Sequence, residues 1–395
     1  MNQEREVIVV GAGPSGATAA TMLAQHGHDV LLLDRQSFPR DKICGDGIPT
    51  GVVEMMGTMG MQAKVEAAEA RGDFYRIDQM RLVSPKGHTM DAMLKPGPRG
   101  EHCYVAPRKV IDALLQEHAV ESGAEFQAAQ AQEPLIEDGR VVGVRAKVGT
   151  NGRSHTVDYH AQLVIGADGV TSAIARGLRT KEEQHVPEHK AVALRAYIED
   201  IAEVVPNTVE FYLYEDISPG YAWIFSLGNH RANIGLGMRL DQFRQTKRKL
   251  EDMLHDFLAM PEIKKRLLNG GKLHDVATWQ LNFGSQEGLR FAFDGALLVG
   301  DAAGFINPIT GGGIHNGMIS AELAAKTAHE ALTAGSTALS QLKIYEQRCR
   351  QELWPGLHRS YTYQRILMRF PALIDFLIKR GRDNSQLAKI FLTKL

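Results

Sequence analysis

The chain has 395 residues, 44% of them hydrophobic and 23% charged, with a formal net charge of -1. That length exceeds what one hydrophobic core usually serves, so two lobes on one chain are expected, and neither a disordered nor a fibrous class fits the composition. The near-zero charge argues against nucleic acid as a partner.

The charged opening MNQERE leads directly into the β-branched run Val7 to Val10, so a secretory leader is not expected. This run ends at glycine and reads as a buried parallel strand. Ser15 to His26 reads as a helix packed through small residues. Val30 to Leu33 is a second buried strand ending at Asp34, which completes one βαβ unit. A Gly- and Pro-containing loop follows at Phe38 to Gly51. Arg108 to Ser122 has helical spacing, with Val110, Ile111, Leu114, Leu115 and Ala119 on one side. Arg140 to Ala146 and Ser154 to His160 look like a hairpin or meander, and Leu163 to Ile165 like a short buried strand. Ala191 to Gly237 is mainly strand-like and predicts an antiparallel sheet. Helical patterns return over about Leu240 to Leu268. Ala296 to Val299 predicts a strand, about His315 to Ala334 a long helix, and the tail from about Leu339 more helix. No run is long and apolar enough to span a bilayer.

Cys44, Cys103 and Cys349 are too scattered for a zinc site or a disulfide framework, so no metal is expected and a reducing cytoplasmic setting is the default. The strongest local signal is Gly11-x-Gly13-x-x-Gly16 between a strand and a helix. The first glycine permits the tight turn, the second lets a pyrophosphate approach the backbone, and the third lets helix and strand pack closely. The helix N-terminus then offers N–H donors to the phosphates, and Asp34 is placed for ribose hydroxyls. Gly166-Ala167-Asp168-Gly169 follows another buried strand; alone it is a common turn. Gly300-Asp301-Ala302-Ala303-Gly304 follows a third strand, with Pro308 and the run Gly311-Gly312-Gly313-Ile314 beyond it.

These three motifs, in this order and spacing, resemble the flavoprotein group that includes p-hydroxybenzoate hydroxylase. Within it the chain is similar to the geranylgeranyl reductase family. The family's PxxxxCGGG loop matches Pro39 to Gly47, with Asp46 standing at a glycine position. Its Tyr-x-x-x-Arg-x-x-x-Asp segment matches Tyr104, Arg108 and Asp112. Its YxWxFP motif matches Tyr221, Trp223 and Phe225, with Ser226 in place of proline, and its closing motif matches Asp301 to Ile314.

The resemblance implies an α/β fold: a Rossmann-type FAD-binding domain, a mainly antiparallel substrate domain, and a helical C-terminal segment. The expected partition is 1-73, 104-180 and 286-335 for FAD, 74-103 and 181-285 for substrate, and 336-395 for the C-terminal segment. It also implies FAD contacts at Gly11, Gly13, Ser15, Gly16, Asp34, Arg35, Cys44, Gly45, Gly47, Arg108, Asp168, Gly169, Asp301, Gly312, Gly313 and Ile314. Cys44 is either an active-site thiol or a small residue of a tight loop. Tyr221, Trp223 and Phe225 alternate, so they share one strand face. They form either a wall for a lipid or aromatic substrate, or sheet core. Lys42 is expected as solvated loop charge, and Arg40 as either that or a contact to FAD or a transient nucleotide. Of the histidines near motifs, His102, His230 and His315, a structural role is expected, with an acid or capping role open for His315. The apolar tail Leu367 to Ile378 is expected to pack on the FAD lobe, with docking on a membrane surface as the alternative.

Two chemistries fit: reduction of double bonds in a prenyl substrate by hydride from reduced flavin, or oxygen transfer to, or halogenation of, a hydrophobic or aromatic small molecule. A flavin-bearing sensor is the weaker, non-enzymatic reading. The absence of a second GxGxxG implies that electrons arrive from transiently bound NAD(P)H or from a protein donor. Oligomeric state is not readable from the sequence.

Overall fold

The structure, a computed structural model, describes residues 4–149, 154–184, 186–218, 220–370 and 372–382. Its first sheet has a parallel centre. Arg5–Val10 lies between Val30–Asp34 and His155–Gly166; Glu125–Glu137 extends it beyond the former and Ala296–Leu298 beyond the latter. Ala292–Phe293 closes the edge antiparallel to its neighbour. Val7, Ile8, Val9, Leu32 and Leu33 are fully buried, as a strand covered on both faces requires. The helices Pro14–Gln25 and Ile314–Thr333 pack side by side on this sheet through alanine, glycine and serine.

Of the expected hairpin or meander, the structure has the meander, with three strands. Arg140–Val148 pairs antiparallel with both Glu125–Glu137 and the first half of His155–Gly166. The meander strand at His155 and the buried strand ending at Gly166 are one continuous element rather than two, exposed at its start and buried at its end.

The second sheet has seven strands in the order Leu267–Asn282, Lys190–Ile201, Arg231–Arg239, Tyr221–Gly228, Thr208–Tyr212, Gln79–Val83 and Thr89–Met93. Every pairing is antiparallel except Thr208–Tyr212 with Gln79–Val83. The helical stretch expected over 240 to 268 divides into Leu240–Thr246, Leu250–Ala259 and Pro261–Lys264. From Leu267 the chain is strand, with Ala277, Trp279 and Leu281 at alternate positions facing inward. A small third sheet joins Gly47–Ile48, Cys103–Val105 and Tyr75–Ile77 between the lobes.

The tail corrects one expectation. Its first part does pack on the FAD-side sheet: the Tyr345 hydroxyl donates to the Leu298 carbonyl at 2.7 Å. The apolar part does not. Ile374 and Ile378 of the helix Ala372–Arg382 bury themselves against Leu82 and Met90 at the edge of the second sheet, and Ser84 donates to Asp375 at 2.6 Å. An edge strand pair with one apolar face needs such a cover. Residues beyond 382 lie outside the described set.

Candidate active site

One cavity of about 1040 Å³ opens between the two large sheets. Every expected cofactor- or substrate-contact residue lines it except Gly16. The exception has a steric reason. A Cβ on Gly16 would sit 1.7 Å from the Gly11 carbonyl oxygen, so this glycine serves the packing of helix on strand. Gly11 has φ +98°, and a Cβ there would meet the Ala167 carbonyl oxygen at 2.4 Å. At Gly13 the nearest atom to a Cβ is Arg40 Nη2, 3.7 Å away; this backbone faces open space. The helix it begins has no side-chain cap, so its first N–H groups take no partner from a capping side chain. Asp34 accepts from the Ala12 amide at 2.9 Å and the Gln36 amide at 3.0 Å, which locks the turn to the end of the second strand. Ser15 Oγ lies in the gap that Gly300 and Gly317 leave by lacking side chains. Asp168 turns inward, accepting from Ser172 Oγ and from the Ala173 amide at 2.6 Å, and burial holds its pKa above the usual carboxylate range.

Charged groups interlock beneath the glycine turn. Arg108, 2% exposed, makes a bidentate pair with the fully buried Asp112 at 2.7 and 2.8 Å. Arg40 bridges Asp112 at 2.8 Å and Asp34 at 3.2 Å. Burial alone would lower the Arg108 pKa; Asp112 and then the neighbouring Cys44 outweigh it and raise it. Lys42 is not a solvated loop charge: its Nζ pairs with Asp301 at 3.0 Å, tying the cysteine loop to the third motif. A single well-placed carboxylate across the cavity is enough to fix a lysine that sequence alone leaves free.

The cysteine loop packs against the aromatic wall. A Cβ on Gly45 would lie 3.3 Å from Phe225 and 3.6 Å from Trp223 Nε1, and one on Gly47 3.5 Å from Phe225. Tyr221, Trp223 and Phe225 share one face with Phe211, in edge and tilted ring contacts. The Tyr221 hydroxyl donates to the Thr310 carbonyl and stands 3.1 Å from where a Gly311 Cβ would be, which joins the wall to the glycine run. Burial, and next the nearby Cys44, raise the Tyr221 pKa. Ile77, Met80, Val209 and Leu94 continue the apolar surface, and Trp279 and Leu281 line the far side. His315 also lines the cavity, its ring pressed against the Gly51 backbone, with its pKa lowered by burial. His230 sits in an exposed turn outside the cavity, and His102 lies in an adjoining groove.

Asp46 is the residue whose role the sequence left unread. It is fully buried with φ +63°, a left-handed conformation in which glycine is easiest. Its Oδ2 accepts from the Tyr197 hydroxyl at 2.6 Å and from Asn233 at 2.8 Å; its buried Oδ1 has no partner among the described residues. Asn233 also donates to the Cys44 carbonyl at 2.8 Å and accepts from Trp223 Nε1 at 2.9 Å. One amide therefore ties the cysteine loop, the buried acid and the aromatic wall together.

Burial raises the Asp46 pKa from 3.8 to about 6, with Tyr197, Asn233, Arg195 and Arg108 opposing the shift. The folded form therefore holds a proton more tightly than the unfolded form. The ionised carboxylate destabilises the fold above about pH 6, and the penalty fades as pH falls from about 6 towards 3.8. Asp46→Asn should stabilise the protein at pH 8 by up to about 3 kcal/mol, with the gain vanishing by about pH 4. Urea midpoints across this range measure it; a pH-independent difference between the two proteins would refute it.

The profile of the FAD-binding domain family matches residues 4–360. The digeranylgeranylglycerophospholipid reductase of Methanosarcina acetivorans is 34% identical over 352 residues, covering 88% of this chain and 80% of that protein. This chain is a member of the geranylgeranyl reductase family of FAD-dependent oxidoreductases. A second such reductase, from Methanocella arvoryzae, is 32% identical over 376 residues, covering 93% of this chain and 88% of its own. Among solved structures, this reductase-family flavoprotein superposes on a geranylgeranyl bacteriochlorophyll reductase-like protein of Thermoplasma acidophilum with TM-score 0.82 at 24% identity, over 100% of both chains. A flavin-dependent brominase matches with TM-score 0.80 at 18% identity, over 99% of this chain and 93% of that one. At those identities the two structures speak for the fold.

FAD fits the residues of this flavoprotein. The open backbone at Gly13, the uncapped helix N-terminus and the Arg40 and Arg108 guanidinium groups beside it are groups that could hold an anionic pyrophosphate.

Proposed function

We propose that this enzyme saturates carbon–carbon double bonds of a prenyl chain. The observation that carries this reading is the apolar cavity face of Met80, Val209, Phe211, Trp223 and Phe225, which meets the cysteine loop and the glycine run. The names of the sequence relatives supply the substrate class. FAD, when bound and reduced, supplies a hydride to one alkene carbon. Gly11, Gly13, Ser15, Asp34, Arg35, Arg108, Gly169 and Asp301 hold the cofactor in this account. Gly45, Gly47, Gly312, Gly313 and Ile314 let it approach the substrate, and Asp168 braces the turn beside it. An isolated alkene is a poor hydride acceptor, so the second carbon must receive a proton in step. Cys44 is the proposed donor: its thiol proton leaves from Sγ, which lies beside the Arg108 guanidinium. The aromatic wall orients the chain and excludes water.

With a single nucleotide fingerprint, the electrons come from NAD(P)H bound transiently or from a protein donor. The partition 1-73, 104-180 and 286-335 for FAD, with 74-103 and 181-285 for substrate, is supported by which sheet each segment joins. No described helix is long and apolar enough to cross a membrane. A peripheral contact in a reducing cytoplasm is part of the proposal. It is supported by exposed Phe370 and Phe376 beside Arg369, Lys379 and Arg380.

The test is product analysis. Dithionite-reduced enzyme incubated anaerobically with a geranylgeranyl lipid should yield lipid carrying two added hydrogens per double bond, and Cys44→Ala should slow it by about 100-fold or more, as loss of a proton donor does. Recovery of unchanged lipid would contradict the reading, and full rate in Cys44→Ala would remove the thiol from it.

A further inference from the structure

The C-terminal helix Trp354–Arg369 carries Leu357, Ser360 and Gln364 on one face, three and four residues apart, and all three are buried. Leu357 packs against the backbone of Gly284, where a Cβ would meet it at 2.6 Å, and the Gly284 amide donates to the Ile306 carbonyl at 2.9 Å. The helix is thereby fixed over the segment that leads into the glycine run, and its two polar side chains take hold of that segment. Ser360 Oγ accepts from Asn307 Nδ2 at 3.0 Å, and Gln364 Nε2 donates to the Pro308 carbonyl at 2.5 Å. Gln364 Oε1 is buried without a partner among the described residues, so the bond to Pro308 is the one this amide makes there.

That grip orients the loop. With its Nδ2 spent on Ser360, Asn307 turns its Oδ1 to the amides of Ile309 and Thr310, at 2.9 and 3.1 Å. The carbonyls of Pro308 and Thr310 are taken by Gln364 and the Tyr221 hydroxyl, and those of Asn307 and Gly312 by the amides of Gly311 and Asn307. Among the described residues, the amides of Gly313 and Ile314 have no partner; they open the 20-residue helix Ile314–Thr333, which no side chain caps. Both residues line the cavity. Hydrogen-bond donors whose competing carbonyls are engaged elsewhere favour negative charge, and the pyrimidine ring of a flavin gains negative charge on reduction.

We propose that Gln364 and Ser360 are positioning residues that set the reduction potential of the bound flavin, given its placement against Gly312, Gly313 and Ile314 proposed above. They act through the loop. By holding the Asn307 side chain and the Pro308 carbonyl, they keep the amides of Gly313 and Ile314 directed at the ring that becomes negative. Reduced FAD is then bound more tightly, relative to oxidised FAD, than it would be on a slack loop, and the potential is raised. This role is the same whichever acceptor the reduced flavin serves.

The experiment measures the flavin midpoint potential by equilibration with a reference dye, alongside the affinity for oxidised FAD and the thermal midpoint. Gln364→Leu should lower the potential by about 30 mV, the two-electron equivalent of a tenfold loss of preference for reduced over oxidised FAD. Ser360→Ala should move it in the same direction by less, and it carries the test if Gln364→Leu does not fold. A potential unchanged in both variants, with or without a lower thermal midpoint, would reduce the two side chains to structural packing and overturn the proposal. Gly312→Glu, which sets a carboxylate on the run itself, tests the placement of the flavin separately, and it too should lower the potential. If Gly312→Glu does so while the helix variants do not, the positioning role falls and the placement stands. If none of the three moves the potential, the placement falls and the proposal with it. Helix variants that act while Gly312→Glu does not would also overturn it, because their effect would not pass through the run.

Discussion

Arg108→Met is expected to destabilise the protein by about 3–5 kcal/mol, the cost of leaving one member of a buried ion pair alone. Asp112 is fully buried and receives two hydrogen bonds from Arg108 and one from Arg40. Methionine fills the volume of the arginine stem but leaves a fully buried carboxylate with Arg40 as its one charged partner among the described residues. The same guanidinium neighbours Cys44 and lies near Gly13, so the variant should lose flavin as well as stability. Arg108→Met/Asp112→Leu removes both charges and should be less destabilised than the sum of the two single variants by about 0.5–3 kcal/mol, the range for coupled neighbours. Urea unfolding of the four proteins gives the cycle. A single variant costing under about 1 kcal/mol would show that the pair is not a structural anchor.

Gly13→Glu and Gly16→Ala should fail in different ways. A side chain at Gly13 enters open space, 3.7 Å from its nearest neighbour, so the fold should survive. The glutamate would project negative charge where the helix N-terminus is proposed to receive the pyrophosphate, and FAD affinity should fall by about 100-fold or more, some 3 kcal/mol. At Gly16 the added methyl group would meet the Gly11 carbonyl oxygen at 1.7 Å, so helix and strand must separate. That variant should lose thermal stability before any question of cofactor arises. Flavin absorbance per protein and the far-ultraviolet thermal midpoint distinguish the two. Gly13→Glu that retains yellow colour would contradict that placement of the pyrophosphate.

The glycine turn was legible because its chemistry is local. Strand, turn, helix and the following acid lie within residues 5 to 34, and the steric demand on each glycine follows from the turn itself. The aromatic wall was legible through period-two spacing on one strand. What sequence could not supply was partnership at a distance. Lys42 meets Asp301, 259 positions away, and Asp46 meets Tyr197 and Asn233, 151 and 187 positions away; nothing in the spacing of any of them marks the contact. Trp279 was missed for a different reason. It lies on a long, largely exposed strand that follows helical segments, and its only signal is the alternation Ala277, Trp279, Leu281. The tail was misassigned because an apolar helix face states that it needs a cover, and both lobes offered one. The meander strand Glu125–Glu137 shows the same limit: its alternation is interrupted by two register shifts against its partner, which blur period two over its length.

The most direct test of the central claim follows the flavin itself. The enzyme is reduced without oxygen, mixed with a geranylgeranyl lipid, and its flavin absorbance is recorded. Reoxidation by the lipid alone, with the rate rising with lipid concentration, is the result predicted here. A flavin that stays reduced until oxygen is admitted, and then modifies an organic substrate, would contradict it and assign the cavity to oxygen chemistry instead.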